Sequence, residues 1–311
     1  MATESKIALL NVAPIVQRTH ASHFFAAIPE YWALTKPEVN FLILITTFAG
    51  FYLALGTRPH GFPVTLAFHT LLGTLLMAGG TGTLNQFLER SFDAQMRRTA
   101  RRPIASGRIE ASHAFWFGVS LSVAGIAYLA LAVNGLASLL AAVTLLSYLF
   151  VYTPLKRRTP LCTLIGAFPG AAPPLIGWAA AQGRLEPEAW VLYAMVFLWQ
   201  FPHFMAIAWM YREDYARAGY LVLPAGENRD RFVVWQGFVV SLALVPISLF
   251  PTIIGESGAV YSVGALVLSL IFLCYSARFV FHRSNVAARR LLTASIVYLP
   301  LVFILMMLDK N

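Results

Sequence analysis

Asn85, Glu89 and Asp93 stand four residues apart where an apolar run meets a polar stretch. If that run continues as a helix to about Ala94, the three side chains fall within about 80° of arc and face one way. Oxygen ligands on one helical face suit a hard divalent cation. Mg²⁺ in particular takes one or two carboxylates and completes its shell with water and phosphate oxygens. Arg97, Arg98, Arg101 and Arg102 follow at once, and their forked donors match a polyanion. A salt-bridged helix end would explain the arginines equally well. It explains Asn85 and Glu89 poorly, because polar groups at the edge of a membrane span are costly and usually functional.

A second group of candidates closes another apolar run, Trp199-Gln-Phe-Pro202-His203, and continues through Tyr211-Arg-Glu213-Asp214-Tyr215. Glu213 and Asp214 could face the first motif across a shared space and clamp one ion, or two. Pro202 is expected to weaken the helix near His203 and free a backbone carbonyl. His203 itself reads equally as a partner for a neighbouring helix and as a metal or substrate contact. Between these groups, Tyr152-Thr-Pro-Leu-Lys156-Arg157-Arg158 adds cations beside a polar aromatic; alone it is a basic loop. The small-residue run from Ala78 to Thr83 favours close helix packing.

The elements that position these residues are membrane helices. Apolar residues make up 58% of the 311 positions and charged residues only 12%, against about a quarter charged in typical soluble chains. Runs of about 20 apolar residues, the length a bilayer core requires, are expected at 39–56, 65–88, 113–133, 136–152, 160–181, 189–210, 232–254, 258–281 and 290–308. With nine spans, 20 of the 23 Lys and Arg residues fall on one side. The positive-inside rule then puts the N-terminus in the cytoplasm and the C-terminus outside. The net charge of +9 does not indicate nucleic-acid binding, because the basic residues sit in short loops between apolar runs. Residues 1–30 are expected to form a cytoplasmic segment without a signal or transit peptide, and 31–311 a single membrane domain. Cys162 and Cys274 read as buried thiols.

In this order the motifs resemble the UbiA superfamily of intramembrane prenyltransferases. Asn85, Glu89 and Asp93 match its first acidic motif, with Gln86 where many members carry Asp. Tyr152, Lys156 and Arg157 match its basic stretch, and Glu213 and Asp214 its second acidic motif, in which Met210 replaces the leading Asp. Arg98-Thr-x-x-Arg102-Pro103, Pro169-Gly-Ala-Ala-Pro-Pro174, Trp199-Gln-Phe-Pro-His203 and Asp214-Tyr-x-x-Ala-Gly219 look like the branch that farnesylates protohaem IX.

The resemblance implies an all-α bundle of about nine helices that moves farnesyl from farnesyl diphosphate onto a vinyl of haem b, giving haem O. It further implies Mg²⁺, as one or two ions, on Asn85, Glu89, Asp93, Glu213 and Asp214. Arg97, Arg98, Arg102, Lys156 and Arg157 would bind diphosphate, and His203, Tyr152 and Tyr215 would contact haem or the allylic cation. A bacterial inner membrane follows, with the site facing the cytoplasm and haem-biosynthesis or terminal-oxidase assembly proteins as further partners. Two other readings stand beside this one: a sister enzyme with another aromatic or chlorin acceptor, and a transporter. The acids cluster at one membrane face and no internal repeat is evident, which disfavours the transporter.

Overall fold

The computed structural model describes residues 20–56, 61–223 and 229–311, so most of the expected N-terminal segment lies outside the described residues. The described chain is helical: α1 (His20–Leu34), α2 (Pro37–Ala54), α3 (Val64–Asp93), α4 (Ala111–Ala132), α5 (Gly135–Leu146), a π turn (Ser147–Tyr152), α6 (Thr153–Leu155), α7 (Cys162–Gly170), α8 (Pro173–Gln182), α9 (Pro187–Met210), α10 (Arg212–Arg217), α11 (Arg229–Ile253), α12 (Ala259–His282) and α13 (Asn285–Leu308). Among the described residues, nine helices or helix pairs are long and apolar enough to cross a bilayer, at the nine places expected. Their outward faces carry exposed Phe41, Phe68, Trp116, Leu131, Val260 and Phe281, which only a lipid environment tolerates in such density.

Two apolar cores share α2 and α8. One joins them to α9, α11, α12 and α13 through residues such as Met195, Tyr261, Phe272 and Phe303. The other joins them to α3, α4 and α5 through Phe51, Met77, Leu129, Ala141 and Ile176. Helices in lipid associate through close contact of small residues rather than through hydrophobic exclusion. A Cβ at Gly177 of α8 would collide with the Thr47 carbonyl of α2, and one at Gly80 of α3 with Ser122 of α4. The small-residue run is therefore a packing surface. Gly79 and Gly82 continue it, admitting Thr35 and Lys36 of the α1–α2 turn.

Three local features depart from the expected pattern. The fifth span is broken between α7 and α8, where Pro173 and Pro174 contribute no N–H donors. Gln200 Nε2 donates to the Ala167 carbonyl beside that break, at 2.9 Å. By contrast, α9 runs through Pro202 without interruption, so the expected weakening at His203 does not break the helix. Cys162 is buried as expected, whereas Cys274 is exposed, on the outward side of α12.

Candidate active site

Asn85, Glu89 and Asp93 all lie on the inward face of α3, exposed by only 1%, 5% and 1%. The helix runs to Asp93, which puts the whole four-residue series in one register. Each side chain meets a basic group. Lys36 Nζ donates to Asn85 Oδ1 at 2.7 Å, Lys156 Nζ to Glu89 Oε1 at 2.7 Å and Arg102 to Asp93 Oδ2 at 2.7 Å. Asp93 Oδ1 is buried and has no hydrogen-bond partner. A buried carboxylate oxygen left open is costly, and one turn of α3 from the Glu89 carboxylate it is a ready position for a hard cation.

Local chemistry explains how the basic groups arrive. Pro154 lacks an N–H, and the chain before it widens into a π turn, a distortion common at functional sites. Thr153 Oγ1 donates to the Tyr148 carbonyl at 2.9 Å and accepts from Asn85 Nδ2 at 3.2 Å. The turn thereby sets Lys156 against Glu89. Burial works against charge on Lys156, but the Glu89 carboxylate outweighs it and raises the ammonium well above its usual range. The loop after α3 folds back through Thr99 Oγ1, which donates to the Asp93 carbonyl at 3.0 Å, and this brings Arg102 round to the Asp93 carboxylate.

The second acidic motif joins only in part. Asp214 is buried on α10; its Oδ2 accepts the Arg98 backbone N–H at 3.2 Å and its Oδ1 the Arg217 guanidinium at 3.1 Å. It therefore anchors the loop that carries Arg102, at the same end of the bundle as Asp93. Glu213 is exposed. One helical residue turns the chain by about 100°, so when Asp214 faces in, its neighbour faces out. The expected five-residue metal set is not brought together as a cage: among the described residues, no three His, Cys, Asp or Glu side chains converge on a metal-sized centre.

The remaining candidates take varied places. Arg98 lies over the Tyr211 ring at 5.0 Å and Arg157 over Phe92 at 4.3 Å. Arg97 is exposed at the rim. Tyr152 takes the Lys156 ammonium on its face at 4.6 Å, and Tyr215 packs edge-on to Tyr220 at 6.1 Å. His203 stands at a different interface: its Nδ1 is 2.8 Å from Ser295 Oγ on α13, and its ring stacks on Trp199 at 4.9 Å. Ser295 already donates to the Leu292 carbonyl at 2.6 Å. Nδ1 is then the donor to Ser295, and Nε2 keeps its lone pair.

Sequence reasoning missed Lys36, Thr153 and Tyr220. Lys36 had counted only as a positive-inside charge. Burial, with Arg102 and Lys156 repelling it, draws its ammonium down from 10.5 to about 7, although Glu89 and Asp93 oppose the shift. The Tyr220 hydroxyl is raised far above its usual value, by burial first and the Glu89 carboxylate next.

Comparison with known proteins identifies the family and the fold. Residues 43–304 match the model of the UbiA prenyltransferase family. Protoheme IX farnesyltransferase of Solibacter usitatus is 48% identical over 287 residues, covering 90% of this chain and 98% of that protein. Protoheme IX farnesyltransferase of Koribacter versatilis is 42% identical, covering 91% and 93%. A UbiA homologue from Aeropyrum pernix has the same fold, with a TM-score of 0.69 at 20% identity over 84% of this chain and 95% of that one. So does an Archaeoglobus fulgidus homologue bound to GPP and Mg²⁺, with a TM-score of 0.60 at 17% identity over 89% and 99%. The chain is an integral multi-pass membrane protein and belongs to the UbiA prenyltransferase family.

Proposed function

We propose that this chain transfers the farnesyl group of farnesyl diphosphate onto a vinyl group of haem b, yielding haem O and diphosphate. One observation carries the reading: a row of buried oxygen ligands, Asn85, Glu89 and Asp93, meets a row of cations at 2.7 Å throughout. Ligands for a hard metal and donors for its polyanionic partner are thus interleaved in one place. The curated relatives, 48% and 42% identical along nearly their full length, favour haem b as acceptor over another aromatic or chlorin.

Glu89 and the open oxygen of Asp93, one turn apart on α3, would hold Mg²⁺, with Asn85 one turn further along the same face. Asp214 is tied to the Arg98 N–H and to Arg217, and Glu213 is exposed, so the first motif is the better-formed metal site. Mg²⁺, when bound, supplies positive charge for the departing diphosphate. Lys156 and Arg102 leave their carboxylates for phosphate oxygens, joined by Arg98 and Arg157, with Arg97 steering from the rim. Such preset cations stabilise charge as it develops on the leaving group. The C1–O bond of farnesyl diphosphate breaks with its electron pair on diphosphate. The terminal vinyl carbon of haem bonds to farnesyl C1, and water adds to the carbon so exposed and releases a proton.

Tyr152 already presents its π face to an ammonium and is suited to hold the allylic cation, with Tyr215 as a further aromatic candidate. His203 offers Nε2 to the haem. The 20-to-3 distribution of Lys and Arg supports a cytoplasm-facing site in a bacterial inner membrane.

Mass spectrometry of haem recovered after incubating purified protein with haem b, farnesyl diphosphate and Mg²⁺ tests the reading. Haem O together with diphosphate is the expected result. Diphosphate release without a haem product would replace the acceptor, and neither product would refute the proposal.

A further inference from the structure

Lys36 occupies an unusual backbone position. Its φ of 55° and ψ of 62° lie in the left-handed region, which residues other than glycine rarely adopt, and the following Pro37 disfavours helical angles there as well. Strain of this kind persists only where the surroundings impose it. Here they do. Gln86 Nε2 donates to the carbonyls of Leu34 at 3.0 Å and Ala33 at 3.3 Å, and Asn40 Nδ2 donates to the Thr35 carbonyl at 2.9 Å. Gly79 and Gly82 let the turn lie against α3.

The charge this turn delivers has no carboxylate within ion-pair distance among the described residues. Lys156 and Arg102 each meet a carboxylate, whereas Lys36 meets only the neutral carbonyl of Asn85 and forms no ion pair among the described residues. A half-buried ammonium paired with an amide, inside a polar site, is a cation without its anion.

We infer that Lys36 is a diphosphate-binding residue, held on Asn85 by the strained α1–α2 turn and transferred to a phosphate oxygen when diphosphate enters. The inference rests on the proposed function, since it needs an anionic substrate group at Asn85. It has a consequence that simple structural support lacks. The ammonium repels a metal ion at the same carbonyl and attracts an anion, so the metal alone binds weakly and diphosphate strengthens it, reciprocally.

The test measures binding to the full-length purified protein: Mn²⁺ alone by its free-ion EPR signal, and inorganic diphosphate alone by calorimetry. In Lys36→Gln, diphosphate should bind about tenfold more weakly, the worth of one charge-assisted hydrogen bond. Mn²⁺ alone should bind several-fold more tightly. Lys36→Arg should keep diphosphate affinity within about threefold. Lys36→Asn, whose side chain tolerates left-handed backbone, should reproduce Lys36→Gln and serves if the glutamine variant does not fold. Parallel loss of both affinities, or no change in either, overturns the inference and leaves the proposed function standing. Failure of the wild type to bind diphosphate overturns both.

Discussion

The Glu89–Lys156 pair allows folding and chemistry to be separated. At 2.7 Å, with side chains only 7% and 14% exposed, the two charges attract by about 6 kcal/mol at an effective dielectric of about 20. Desolvating them costs several kcal/mol per ion, so the net gain over two apolar groups is small. Breaking the pair from one side is different. Glu89→Gln leaves a buried ammonium beside a neutral amide, and Lys156→Met leaves a buried carboxylate; each costs about 3–5 kcal/mol. Removing both strands nothing, so the double variant should cost no more than either single, which makes it at least about 3 kcal/mol more stable than additivity predicts. Activity should not recover with stability. On the proposed function Glu89 would hold the metal and Lys156 the diphosphate, so all three variants should form haem O at least about 100-fold more slowly. Unfolding free energy by denaturant titration in detergent, beside product formation by mass spectrometry, reads both axes. A coupling energy below about 0.5 kcal/mol would show that the pair is electrostatically idle. More than a tenth of normal activity in Glu89→Gln would remove that carboxylate from the catalytic machinery.

Three further outcomes follow from the placement of individual side chains. Asp93→Asn should slow diphosphate release by about 100-fold or more, and Mg²⁺ affinity, measured by calorimetry, should fall with it. Glu213→Gln should stay within about twofold of normal activity because the side chain is exposed. The adjacent Asp214→Asn should lose about tenfold, through the loop that Asp214 anchors at the Arg98 N–H; equal losses at 213 and 214 would contradict the helical placement. His203→Ala should weaken haem binding in an absorbance titration and leave inorganic diphosphate affinity unchanged, and an unaltered haem spectrum would exclude His203 from the acceptor site.

The parts of this molecule that obey a short-range period were legible in its sequence. Nine apolar runs became nine membrane-length elements, and the four-residue spacing of Asn85, Glu89 and Asp93 placed all three on one buried face. What escaped was set by contacts between distant segments. Lys36 is 49 residues from the Asn85 it touches, and nothing in its neighbourhood distinguishes it from a charge that only orients the chain. Gln86 reads as a weaker version of an acidic ligand, whereas its amide braces the turn that carries Lys36. The adjacent acids Glu213 and Asp214 could not be ranked before the phase of α10 was known. Cys274 shows the same limit from the other side: apolar neighbours in a membrane helix do not distinguish a core-facing thiol from a lipid-facing one.

The charge inventory also accounts for the location of the site. Lys156 and Arg102 pair with Glu89 and Asp93, and the Lys36 ammonium, drawn down to about 7, adds up to one excess positive charge at the end of α3. Deep in the hydrocarbon that excess would be prohibitive; at the boundary, where α3, the π turn and the α1–α2 turn converge, water and exposed arginines share the field. An incoming diphosphate ester brings more negative charge than a single Mg²⁺ cancels, so substrate and ion together offset the excess. On the proposed function, Lys156 and Arg102, which here meet carboxylates, and Lys36, which meets the Asn85 carbonyl, are the cations that would hold the leaving group.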